Sequence, residues 1–128
     1  MLKDLENITD IEVLVQAFYT KVQKDDTIGY IFNDVANVNW DKHFPIMYSF
    51  WNSVLFGAAS YKGNPMLKHI MLSREEPLQT EHFARWIQLW TSTVDENFEG
   101  PKAEEAKSKA TSIKDLMMYK VGAVGRMS

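Results

Sequence analysis

Residues 40–57 read WDKHFPIMYSFWNSVLFG, and the periodicity of this stretch decides the fold class. Trp40, His43, Phe44, Met47, Phe50, Trp51, Val54 and Leu55 recur three or four apart, which makes one apolar stripe on an amphipathic helix. Pro45 lies inside the stretch. The helix is expected from about Trp40 to Gly57; because a proline is comfortable only in a first turn, the alternative is a regular start nearer Lys42 or a kink there. Gly57 is a stop signal.

Upstream, Thr9 and Glu12 stand at capping-box spacing, so a first helix is expected to start near Thr9. Its stripe is Ile11, Leu14, Val15, Phe18 and Val22, and it ends near Asp25 and Asp26. A turn segment, Ile28 to Phe32, leads into a polar loop through Asn39. Downstream, Asn64 as N-cap and Pro65 as first helical residue announce a short helix from Met66 to about Leu72. A third long helix starts near Thr80, with Phe83, Trp86, Ile87, Trp90, Val94 and Phe98 on its stripe. Gly100 and Pro101 break it. The last helix carries Ala103, Ala106, Ala110, Ile113 and Met117, a narrow seam that permits close helix packing. No useful stretch alternates with period two. The class is all-α, either a four-helix bundle or a shortened globin, and periodicity alone does not choose between them.

The 128 residues suit one domain, 1–128, with a core of about 9–121 and a tail, 122–128, expected to fray. There is no cysteine, which excludes disulfides, thiolate metal sites, iron–sulfur clusters and cysteine nucleophiles. The formal charge of −3, with no dense basic patch, gives no nucleic-acid surface. Apolar runs are too short for a bilayer, and the acidic N-terminus is no signal peptide. The expected setting is cytoplasmic, with neither membrane nor nucleic acid as partner.

The chain has three histidines. His43 lies on the stripe of its helix, with Trp40 three residues before and Met47 four after, so it faces inward. His69 shares a face with Met66 and Leu72. A lone inward histidine is more often a hydrogen-bonded core residue than a ligand. His82 is off its helix's main stripe and reads as surface or rim. No zinc spacing, nucleophile elbow or glycine-rich phosphate loop is present. What remains is two inward histidines on different helices among Phe, Trp, Met and Tyr. A haem asks for this chemistry: one neutral imidazole on iron, large apolar side chains on the porphyrin faces, and polar donors opposite.

The run His43 to Trp51, then Val54 to Gly57, then Tyr61 to Met66, then His69 and Leu72, resembles the group III truncated haemoglobins. Phe18-Tyr19 with Lys21-Val22, His82-Phe83 with Arg85-Trp86, and Thr93 to Glu96 add to the likeness, which covers about 11–110. The absence of a Gly-Gly pair also suits this group. Two departures stand out: Tyr30 occupies a position where the family often has proline, and Trp90 one where it often has phenylalanine.

The resemblance implies a two-over-two helical sandwich around haem b. It implies that His69 is the proximal iron ligand and that Tyr19, His43 and Trp86 line the distal side. Met47, Phe50, Trp51, Met66, Leu72 and Phe83 would then pack on the porphyrin, with Phe32 at one edge. Tyr61, Lys68, Arg74 and Arg85 are candidates for the propionates. The implied function is binding of O2, NO or CO at ferrous iron, as ligand, sensor or store. Nitric oxide dioxygenation or peroxide reduction in the same pocket is the enzymatic alternative, and it needs a separate reductase because this chain has no flavin or iron–sulfur module. A helical interaction module without haem is the remote alternative.

Overall fold

The computed structural model describes residues 2–35, 39–57 and 78–120. The regular elements in them are helical: α1 (Ile8–Gln23), a π-helical turn (Ile31–Val35), α2 (Trp40–Phe56), α3 (Thr80–Asn97) and α4 (Pro101–Lys120). The short helix expected at 66–72, with its cap at Asn64 and Pro65, lies outside the described residues, as does the tail from Gly122. α1 packs on α2 and on α3, α3 packs along α4, and α2 touches α4. This is the two-over-two arrangement that the resemblance implies. No helix among the described residues is long and apolar enough to cross a membrane.

α1 starts earlier than expected. Asn7, not Thr9, is the N-cap, and its side chain accepts from the Asp10 N–H at 3.3 Å. Asp10 reaches back to the Glu6 N–H at 2.9 Å and takes the Lys3 ammonium at 2.6 Å. The reciprocal carboxylate of a capping arrangement is thus Asp10 rather than Glu12. The inward face of α1 is Ile11, Leu14, Val15, Phe18, Tyr19 and Val22, all buried.

α2 starts at Trp40 as expected, and not at the alternative start nearer Lys42, because Asn39 caps it through the Lys42 N–H. Pro45 removes one intrahelical bond to the Asp41 carbonyl. Both residues are exposed, so the lost bond lies on the solvent face, where water can replace it. Gly57 closes α2 in the left-handed region, φ 71°, and its N–H donates to the Ser53 carbonyl at 3.1 Å. The Lys102 ammonium adds a bond to the Leu55 carbonyl at 2.6 Å, complementing the negative end of the helix.

The centre of the core is Trp90, fully buried. Its indole stacks on Trp51 with centroids 4.4 Å apart and meets Phe18 edge-on at 5.0 Å. Nε1–H donates to the Ala106 carbonyl at 3.1 Å. The seam of Ala103, Ala106 and Ala110, all buried, brings α4 close enough for that bond.

The start of α4 is held by a residue from the other end of the chain. Gly100 precedes Pro101 and has no side chain with which to cap. Asp4 does so instead, accepting from the Lys102 N–H at 2.9 Å and the Ala103 N–H at 2.8 Å. Gly100 sits at φ 144°, and a Cβ there would lie 2.5 Å from Asp4 Cγ, so glycine is required twice over. Burial alone would raise the Asp4 carboxyl, but the N–H groups of Lys102, Ala103 and Leu5 outweigh it and hold the group below the usual carboxylate value. With the folded value below the unfolded one, this stabilisation is complete above about pH 4 and is lost as pH falls through the folded value. Asp4→Ala is therefore expected to lower the unfolding free energy by about 1–2 kcal/mol at neutral pH. Urea titrations at two pH values check it: the deficit should shrink on acidification, and an equal deficit at both would deny the charged cap.

Candidate functional site

Three parts of the chain wall one cleft. The segment after α1 supplies Ile28, Ile31 and Phe32; the start of α3 supplies Leu78, His82, Phe83 and Trp86; α4 supplies Lys114 and Met117. The cleft is open to solvent. Its walls are chiefly apolar, and His82 and Lys114 are the polar exceptions among the described lining residues.

Beside the cleft lies an aromatic cluster centred on Tyr19. The Tyr19 ring meets His43 edge-on at 5.0 Å, Trp40 at 5.4 Å and Phe32 at 6.0 Å. Tyr19 is 6% exposed. Burial pushes its hydroxyl well above the ordinary phenol value, so it stays protonated and keeps its donor. The Nε2 atom of His43 is buried as well. Trp86 stands one ring away, edge-on to Phe18 at 5.9 Å, and Phe18 touches Tyr19 at 4.8 Å. Of the three residues assigned to the distal side, Tyr19 and His43 are thus in direct contact, and Trp86 joins them through Phe18.

Phe32, Phe83 and Trp86 line the cleft itself. Met47 and Phe50 stay half-buried on α2, so an apolar stripe there is incompletely covered by protein. Trp51 turns instead into the core against Trp90. His69, Tyr61, Met66 and Leu72 fall outside the described residues, as do Lys68 and Arg74. Arg85 is occupied: its Nε and Nη2 both lie 2.7 Å from Asp25 Oδ1, and Nη1 donates to Gln88 at 2.7 Å. Asp25 also accepts the Thr27 and Ile28 N–H groups at 3.0 Å. This pair ties the end of α1 to α3, so Arg85 reads better as a structural staple than as a propionate partner.

His82 was expected at the surface or rim. It lines the cleft and also caps α3, with Nδ1 accepting the Gln79 N–H at 2.9 Å. With that lone pair engaged, the neutral ring carries its proton on Nε2, which lies 3.5 Å from the Tyr30 hydroxyl. Its position three residues after the N-cap, the place of the reciprocal partner in a capping box, was the signal in the sequence. Lys114 carried a signal too: it lies four residues after Ala110 and three before Met117, beside the apolar seam of α4.

An apolar, aromatic-walled cleft with a cation at its edge fits an amphipathic group bearing carboxylates, and haem is such a group. A buried tyrosine–histidine pair beside it supplies polar donors in a water-poor setting.

The comparisons with known proteins agree with the fold. The family model described as bacterial-like globin matches residues 6–120. The group 3 truncated hemoglobin ctb of Campylobacter jejuni is 30% identical over 123 residues, covering 91% of this chain and 94% of that one. A crystal structure of group III truncated hemoglobin from Campylobacter jejuni superposes with a TM-score of 0.82 at 26% identity, over 94% of this chain and 95% of that one. The chain belongs to the bacterial-like globins and, within them, to the group III truncated haemoglobins.

Proposed function

We propose that this globin holds haem b through His69 and takes a small diatomic gas, oxygen foremost, on the side of Tyr19, His43 and Trp86. The observation that carries the reading is the buried Tyr19–His43 contact, 5.0 Å between ring centroids, beside a cleft walled by Phe32, Phe83 and Trp86. When bound, haem supplies an iron with a coordination position open to the gas.

The chain's own residues do the rest. Phe32, Phe83 and Trp86 exclude water from the porphyrin, together with Met47 and Phe50 from α2 and with Met66 and Leu72, while Tyr61 is a candidate for a propionate. The Tyr19 hydroxyl, kept protonated by burial, donates to a ligand that gains negative charge, and the Trp86 indole N–H is a second donor. His43, in contact with Tyr19, is a third donor or a gate. His69 as the axial imidazole is what the resemblance to the group III truncated haemoglobins implies, and the engagement of His82 Nδ1 by its own helix and the contact of His43 with Tyr19 are in keeping with it. The Campylobacter jejuni relatives, both named as haemoglobins, support the same cofactor.

Absorption spectra of the haem-reconstituted protein, ferric, ferrous and with CO, test the proposal alongside His69→Ala. One Soret-absorbing haem per chain is expected, with the normal five-coordinate ferrous spectrum lost in the variant. Retention of that spectrum in His69→Ala would remove His69 from the axial position. Absence of stoichiometric haem would remove the cofactor itself.

A further inference from the structure

Lys114 stands beside the apolar seam of α4, one residue after Ile113, which packs against the core. Ala103, Ala106, Ala110 and Met117 on that seam are buried. Lys114 falls between Ala110 and Met117, lines the cleft beside Phe83 and Trp86, and has a side chain only 20% exposed. Its ammonium lies 3.1 Å from Asp115, whose side chain is 65% exposed. A mostly exposed carboxylate one residue away holds a lysine weakly. The aliphatic stem can lie along the apolar wall while the ammonium reaches the edge. Placing a cation at the boundary of an apolar cleft costs desolvation, which an incoming carboxylate offsets through a charge-assisted bond.

We propose that Lys114 anchors a propionate of the bound haem and so sets how tightly the chain retains it. The proposal rests on the haem reading above and adds a residue to it. Lys114 takes the part that Arg85, committed to Asp25 and Gln88, does not.

The test pairs one substitution with one change in the porphyrin. Lys114→Met keeps a flexible apolar stem and removes the charge. Loss of haem from wild type and variant is followed by transfer to excess apomyoglobin, first with haem and then with haem dimethyl ester, whose carboxylates are masked. With haem, the variant should release about three- to tenfold faster. With the ester, the two proteins should release at the same rate. The variant without porphyrin, followed by circular dichroism on heating, should be at least as stable as wild type, because a lysine on an apolar wall has been replaced by an apolar side chain. Equal acceleration with both porphyrins would show a general loosening of the pocket and overturn the assignment. Unchanged release of haem would overturn it too, while leaving the haem reading intact. Failure of both porphyrins to bind wild type would overturn the two together.

Discussion

Replacing Trp90 with alanine is expected to lower the unfolding free energy by about 3–5 kcal/mol. The residue is fully buried, and its ring is held on two sides, stacked on Trp51 and edge-on to Phe18. Truncation removes the apolar surface and leaves a cavity among neighbours anchored on three helices, which limits collapse. Trp90→Phe separates packing from hydrogen bonding. It keeps a ring but loses the 3.1 Å bond to the Ala106 carbonyl. That carbonyl sits in mid-helix and retains its intrahelical partner, so the expected cost is smaller, about 1–2 kcal/mol. Urea unfolding at fixed haem saturation measures both, since bound ligand shifts apparent stability. Equal losses for the two variants would place the energy in the hydrogen bond rather than in the stack. Tryptophan at position 90 then has a physical reading: its N–H needs a carbonyl, and the alanine seam of α4 brings one within reach.

Tyr19→Phe is expected to speed oxygen release from the ferrous protein about ten- to a hundredfold. A hydrogen bond to a charged group contributes about 1.5–3 kcal/mol, and that range converts to this factor. The substitution is well suited to the question. The ring contacts with His43, Trp40 and Phe32 survive it, so the packing of the pocket should hold. Stopped-flow displacement of oxygen by CO gives the rate directly. An unchanged rate would take the Tyr19 hydroxyl out of the ligand's surroundings and leave the tyrosine as a packing residue. A change of similar size in unfolding free energy, with no change in the rate, would say the same.

Periodicity made most of the fold legible. The stripes of α1, α2 and α3 are dictated by burial, and burial is a local pattern on a helix. Helix starts were less legible, because several polar residues compete for one cap. Asn7 and Thr9 are both good candidates, and the choice fell to Asn7 because Asp10, not Glu12, reaches back to the chain before it. Pro45 left the start of α2 open for a related reason. Its cost depends on which face it occupies, and only the packed structure shows that this face meets water. Tyr19 and His43 could be named from the resemblance, but the contact between them depends on α1 packing against α2. His82 and Lys114 show the limit on the polar side. Each was visible as a residue, but whether it turned to solvent or to the cleft was decided by neighbours far away in sequence.

The bond from Asp4 to the first turn of α4 spans 98 positions to Lys102 and 99 to Ala103. A contact of that span is entropically dear in the open chain, because the two ends of a long loop must first be brought together. Once the helices between them have packed, the ends are already neighbours, and most of that loss has been met by other contacts. The carboxylate therefore adds little to the early stages of folding and more to the finished state. Terminal segments usually loosen independently of one another. Here the N-terminal arm and the opening turn of the last helix share a cap, so loosening the arm would leave the Lys102 and Ala103 N–H groups without their carboxylate acceptor.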